Sequence, residues 1–353
     1  MSLKAKLARQ IALTGPITVA EFMTACLHDP EFGYYATRPA LGADGDFITA
    51  PMVSQMFGEL IGLWAVETWR RMGRPAPFRL IEMGPGDGTL MRDVLRAAAL
   101  APDFPAAAEL WLVETSKPLA ALQRESLRGF AATWAETLED APAGAPVILI
   151  ANEFLDCLPA RQFVRTERGW AERLVGLGQG GGLAFGLSSR PVGLIPEPLR
   201  DAPVGAVVEV SAAQETLGRI VGERIARDGG AALFIDYGRA APETGDTLQA
   251  LSRHRKVDVL ATAGEADFTV HADFPAFAAA ARSAGAATTR IITQAAFLNA
   301  LGVQARAAAL SSAHPDRSDI IARQLRRLSA ADQMGVLFKA VAIHSPGLVA
   351  PGF

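Results

Sequence analysis

Between Met52 and Met72 the apolar positions Val53, Met56, Phe57, Leu60, Ile61, Trp64 and Ala65 recur every three to four residues, which is the spacing of one buried helical face. Gly73 and Pro75 stop that pattern. Phe78 to Met83 is then a short, mostly apolar run and predicts a strand, followed by a helix over Thr89 to Leu100. Leu110 to Glu114 predicts a second strand, Pro118 to Leu127 a helix, and Pro146 to Ala151 a third strand that is nearly all apolar. Ala231 to Asp236 repeats that character. Strands without a polar face, alternating with helices, indicate a parallel sheet covered on both sides. Arg290 to Thr293 and Val336 to His344 are further strand candidates near the C-terminus.

The flanks of this pattern read differently. From Lys4 to Cys26 two short helical patterns are separated at Gly15-Pro16, with Thr18 placed as an N-cap and Glu21 as its capping-box partner. The stretch from Glu31 to Pro51, rich in Gly and Pro and carrying Tyr34 and Tyr35, reads as a long functional loop. Arg161 to Leu187 alternates like a hairpin and contains a glycine cluster, and a Pro-rich stretch from Pro191 to Pro203 follows it. Val207 to Val210 predicts a strand, Gln214 to Arg227 a helix and Phe274 to Ala284 another.

Composition narrows the function classes. Half of the 353 residues are apolar and a fifth are charged, as in an ordinary globular protein. A formal net charge of -3, with no long basic run, gives no electrostatic footprint for nucleic acid. Cys26 and Cys157 follow no metal or redox spacing, so neither a metal site nor a disulfide is expected. No stretch approaches the ~18 uninterrupted apolar residues of a membrane span, and the start has no signal-peptide pattern. A cytosolic protein without membrane insertion is the expectation.

The chemistry concentrates at the end of the first strand, in Glu82-Met83-Gly84-Pro85-Gly86-Asp87-Gly88. A strand that runs through Gly-x-Gly-x-Gly into a helix lets a ligand approach bare backbone. A dinucleotide fingerprint would place its third glycine one residue later, where Thr89 stands. The acid at Glu82 is awkward beside a pyrophosphate and welcome beside a ligand that carries a sulfonium and an ammonium. A methyl donor of that kind is favoured, with a dinucleotide and a plain strand-to-helix turn as the alternatives. Glu114 ends the second strand 26 residues beyond Gly88, near the place of the acid that takes ribose hydroxyls roughly 20 residues on.

Methyl transfer from a sulfonium is an in-line displacement, so the protein must align the acceptor and exclude water. Polar residues at the carboxyl ends of the strands are the candidates. Asn152, Glu153 and Asp156 follow the third apolar strand, and Asp46 and Thr49 lie on a glycine-hinged segment able to close over the methyl donor. Carboxylates are what a guanidinium acceptor requires. Asp156 as a turn cap and Asp46 as an ordinary loop acid are the bland readings. Asp236 could face the site or cap the next loop, His254 and His271 read as structural, and Trp134 or Ala135 is placed by position against an adenine.

The blocks Gly45-Asp46-Phe47-Ile48-Thr49-Ala50-Pro51, Ser54-Gln55-Met56-Phe57-Gly58-Glu59, Glu82 to Thr89, and Asn152-Glu153-Phe154-Leu155-Asp156 together resemble the MidA family of methyltransferases. That family includes a mitochondrial protein arginine methyltransferase that assists assembly of respiratory complex I. The likeness runs from Thr18 to Phe338. It implies an α/β, class I Rossmann-like parallel sheet closed by an antiparallel C-terminal hairpin, with a helical N-terminal region and an inserted substrate-side region. It implies S-adenosylmethionine as cofactor, a complex I-type protein subunit as partner, and arginine as acceptor. Carried over by motif, Gly84 and Gly86 line the methyl donor, Glu114 its ribose, and Asn152 and Glu153 the acceptor edge. Glu82, Pro85, Gly88 and Thr49 complete the cofactor set; Asp46 and Asp156 join the catalytic one.

The expected division is a helical and lid region at 1–75, a cofactor-binding half at 76–160, an inserted β-rich region at 161–210, and the remainder at 211–353. Asp87 replaces the basic residue of the mitochondrial members, and no transit peptide is evident. Both features suit a bacterial, cytoplasmic relative; a eukaryotic one would work in the mitochondrial matrix. Assembly as a homodimer is left open. Two other functions are carried forward: methylation of a small metabolite, and a complex I assembly chaperone with a vestigial methyl-donor site.

Overall fold

The structure, a computed structural model, describes residues 2–37, 49–191 and 193–353. Its chain divides into two compact units. One comprises the described parts of Met1–Phe47, Leu155–Glu215 and Arg239–Pro275; the other takes Ile48–Phe154, Thr216–Gly238 and Ala276–Phe353.

The second unit is built on one sheet. Its strands are β1 (Phe78–Met83), β2 (Ala108–Val113), β3 (Ala132–Ala135), β4 (Val147–Asn152), β5 (Gly230–Arg239), β6 (Ala287–Thr288), β7 (Ile292–Thr293) and β8 (Phe338–His344). The order along the sheet is β6-β8-β5-β4-β1-β2-β3. The five strands from β5 to β3 are parallel, while β8 runs antiparallel to β5 and pairs with both β6 and β7. Every residue of β4 and β5 is buried, which explains the apolar runs Val147 to Ala151 and Ala231 to Ile235 within them. The core joins Leu80, Ile148, Ile150 and Leu233 of the strands to Phe57, Leu60 and Trp64 of the Gln55–Arg71 helix.

The expected helix over Met52 to Met72 is interrupted. Ser54 is extended and its hydroxyl accepts from Met56 N, so the chain forms Ala50–Val53 and then restarts at Gln55. The C-terminal strand begins at Phe338, two residues later than its pattern suggested, because Met334–Leu337 is a helical turn. A Cβ on Gly335 would lie 2.2 Å from Ser329 O, so that turn is packed against backbone. The Ala132–Ala135 strand and the helices Gln294–Ala300, Val303–Ala313 and Ser318–Ser329 were not predicted. Val303–Ala313 is alanine-rich and buries only Val303 and Ala307, too little contrast to reveal a face.

Close helix packing also rests on glycine. A Cβ on Gly218 would meet Phe277 O at 2.4 Å and one on Gly222 would meet Ala281 O at 2.5 Å. Gly222→Val is expected to destabilise the fold by about 3 kcal/mol, read from the midpoint and slope of urea unfolding.

In the first unit, Leu3–Thr14 and Val19–His28 are the two N-terminal helices. Thr18 and Glu21 form the predicted capping box. The hairpin pattern becomes strands Arg161–Thr166 and Gly169–Leu177, joined by Val207–Val210, Ile17–Thr18 and Leu183–Pro191 in a five-stranded sheet. A three-stranded sheet of Gln249–Ser252, Arg255–Val257 and Asp267–Thr269 was not predicted from sequence. Phe22, Cys26, Tyr34 and Phe268 share its core. Burial pushes the Cys26 thiol up to about 12, so it is an inert packing group. His254 sits with positive φ between two of these short strands, and His271 N donates to Thr247 Oγ1.

Candidate active site

Two loops meet the carboxyl ends of adjacent parallel strands. One follows β1 and its helix turns toward β2; the other follows β4, on the opposite side of β1. This divergence is the topological switch point where ligands bind to open α/β sheets.

The loop after β1 bends through Gly84, Gly86 and Gly88, with φ of 62°, 58° and 82°. These are left-handed values that L side chains resist. Gly84 N donates to Val113 O, fixing the start of the bend against β2. A Cβ on Gly84 would lie 2.7 Å from Cδ2 of Phe154. Pro85 O accepts from Gly88 N, and Gly88 is the N-cap of the Thr89–Ala98 helix, whose first N–H is held by Asp87 Oδ1 at 2.9 Å.

Just before the bend, Glu82 is buried, and its Oε2 has no hydrogen-bond partner. Burial, and then the negative charges of Asp87 and Glu114, push its carboxyl up to about 8. An acid with an unpartnered oxygen under a bare-backbone bend suits a cationic ligand; a pyrophosphate would meet three acidic side chains there.

Glu114 follows β2, and its backbone N donates to Ala135 O. Its Oε1 accepts from Ser116 N at 2.7 Å and its Oε2 from Gln123 Nε2 at 3.0 Å. Burial raises its carboxyl, opposed by these hydrogen bonds. Gln123, which sequence reasoning missed, also reaches Gly86 O and Trp134. The Arg124 guanidinium lies 4.5 Å from the centre of the Trp134 ring.

At the end of β4, Asn152 is buried and its Oδ1 has no partner, while its Nδ2 donates to Glu153 Oε1 at 2.9 Å. Ala50 N donates to the same oxygen at 3.1 Å. Glu153 takes φ 53°, a strained conformation for a residue with a long side chain. Its own N donates to Ile235 O, so the strained residue is clamped to β5. Thr49 stands at the N-cap of Ala50–Val53, without a side-chain capping bond. Asp236, buried in β5, accepts from Tyr237 N.

The structure thus gathers Glu82, the glycine bend and Glu114 around one loop system, and ties Asn152 and Glu153 to the chain beside Thr49. Asp156 belongs to the first unit, buried, with its carbonyl accepting from Val270 N. Asp46 lies outside the described residues. Tyr34 is a core anchor, and Tyr35 donates to Asp267 Oδ1 at 2.9 Å.

Sheet order, the reversed strand β8 and the glycine bend with its acids define a class I methyltransferase that takes its methyl group from S-adenosylmethionine. The family described as S-adenosyl-L-methionine-dependent methyltransferase matches residues 60–292. The chain belongs to that family, the MidA group whose motifs the sequence displays. It is 35% identical to the mitochondrial protein arginine methyltransferase NDUFAF7 homolog of Drosophila melanogaster, covering 99% of this chain and 86% of that one. The Danio rerio protein arginine methyltransferase NDUFAF7 is 36% identical over 87% of this chain and 78% of its own. A crystal structure of a Burkholderia thailandensis protein bound to S-adenosyl-homocysteine superposes with a TM-score of 0.86 at 30% identity, covering 99% and 93% of the two chains.

Proposed function

We propose that the protein transfers methyl groups from S-adenosylmethionine to an arginine side chain of a protein substrate. The names of its relatives support arginine as the acceptor. The observation that carries the reading is the pair of acceptors at the end of β4: a buried Asn152 Oδ1 lacking a donor beside the Glu153 carboxylate, held by Ala50 N. A guanidinium offers five N–H donors and a permanent charge, which matches that pair.

Glu82, Gly84, Pro85, Gly86 and Gly88 would hold the amino-acid end of the cofactor, and Glu114 its ribose. S-adenosylmethionine, when bound, supplies a methyl carbon made electrophilic by the adjacent sulfonium. Glu153 draws the guanidinium by charge and orients the reacting nitrogen, and its carboxylate can take up the proton released on methylation. Asn152 accepts a second N–H and fixes the acceptor's rotation. The substrate class is a respiratory complex I-type subunit or its bacterial equivalent, met in the mitochondrial matrix or in a bacterial cytoplasm.

The test is incorporation of labelled methyl groups into that subunit by purified protein, with the modified residue identified by mass. Methylarginine is expected with the wild type. Glu153→Gln should lower incorporation about 30-fold, since a hydrogen bond to a charged group is worth about 1.5–3 kcal/mol. Undiminished incorporation removes Glu153 from the mechanism, and methylation of another residue type overturns the arginine assignment.

A further inference from the structure

Gln123 is fully buried on the Lys117–Ser126 helix, and both ends of its amide are engaged. Its Nε2 donates to Gly86 O at 2.9 Å and to Glu114 Oε2 at 3.0 Å, while its Oε1 accepts from Trp134 Nε1 at 2.9 Å. The orientation of this amide is forced by its partners. An indole N–H can only donate, so the amide oxygen must face Trp134; a peptide carbonyl and a carboxylate can only accept, so the amide nitrogen must face Gly86 and Glu114. Turned over, the amide would set N–H against N–H and oxygen against two acceptors.

The consequence falls on Glu114. Ser116 N holds one of its oxygens, at 2.7 Å, and Gln123 holds the other. Each carboxylate oxygen has further acceptor capacity beyond one such bond, so two adjacent hydroxyls can each find an oxygen already set in place.

We infer that Gln123 is a positioning residue for recognition of a vicinal diol: it locks the Glu114 carboxylate in register with the glycine bend through Gly86, so that the site selects the ribose of its cofactor. The inference rests on Glu114 as the ribose acceptor proposed above. Gln123 itself touches no ligand in this scheme. Its chemistry lies in aiming another group, and Trp134 is the reference that keeps the aim.

The experiment is calorimetric titration of the 353-residue chain with S-adenosyl-homocysteine and with its 2′-deoxy analogue. The wild type should bind the analogue at least about tenfold more weakly, the cost of leaving an aimed acceptor unpaired. Gln123→Met keeps the volume and removes all three hydrogen bonds. It should weaken the parent ligand about tenfold and the analogue far less, bringing the ratio of the two within about threefold. Equal weakening of both ligands, with the ratio preserved, would mean that Gln123 only supports the fold and overturns the inference. A wild type that does not discriminate, together with Glu114→Gln binding the parent ligand normally, overturns the ribose reading itself and the inference with it. Trp134→Phe on the partly exposed β3 strand removes the indole N–H and keeps a ring; it should lower the ratio about threefold even if Gln123→Met does not fold. A ratio unchanged by Trp134→Phe counts against the aiming role.

Discussion

Replacing Gly84 with alanine is expected to weaken binding of S-adenosyl-homocysteine at least about 100-fold, or about 2.7 kcal/mol, while the chain still folds. The new methyl group would start 2.7 Å from Phe154 Cδ2, well inside contact distance. The backbone φ of 62° adds a left-handed penalty of about 1–2 kcal/mol for an L-residue. The backbone on either side is held in place. Gly84 N is bonded to Val113 O, and Glu153, next to Phe154, is bonded through its N to Ile235 O. Strain therefore passes into the bend between Gly84 and Gly88, where the cofactor needs bare backbone. A penalty of this size is smaller than the stability of an ordinary domain, so thermal unfolding should remain cooperative and only moderately shifted. A dissociation constant close to the wild-type value would show that the bend is not the methyl-donor seat.

The ease of reading this site from sequence followed the physics of each part. Strands β4 and β5 are buried on both faces, so their composition announces them, and the glycines after β1 mark a bend that other residues resist. Thr18 and Glu21 signal a helix start because the capping box needs those side chains at that spacing. Gln123 gave no comparable signal by type. Its clue was positional: Leu119, Ala120 and Gln123 form the buried set of their helix, and a glutamine on an apolar face must be satisfied by something. The strained φ of Glu153 could not be read, since no residue type but glycine advertises that region. Its link to Ala50 spans a sequence separation of 103 residues, and no local pattern encodes such a contact. The four-residue strand carrying Trp134 is too short to show a period.

Glu82→Gln is expected to act in opposite directions on stability and on cofactor affinity, and pH separates the two effects. In the folded chain the Glu82 carboxyl is pushed up to about 8 from an ordinary 4.5, chiefly by burial. Between those values the folded state holds a proton that the unfolded state has released. Its contribution to stability is therefore present at low pH and lost as pH rises through about 8. From pH 6 to pH 9 the wild type should lose about 3 kcal/mol more than the variant, measured by urea unfolding without ligand. Binding runs the other way. A sulfonium or ammonium beside Glu82 favours the ionised acid, so below pH 8 the proton must leave as S-adenosylmethionine enters. Wild-type affinity should fall about twentyfold from pH 8.5 to 6.5 beyond any slope in Glu82→Gln, with close to one proton released per site at pH 7. The variant should bind about 100-fold more weakly at pH 8.5, having no charge to offer in a low-dielectric setting. Titrations in two buffers of different ionisation enthalpy count the proton directly. Equal slopes and no proton release would place the cation of the cofactor away from Glu82, and would leave its unpartnered oxygen to be explained by the fold alone.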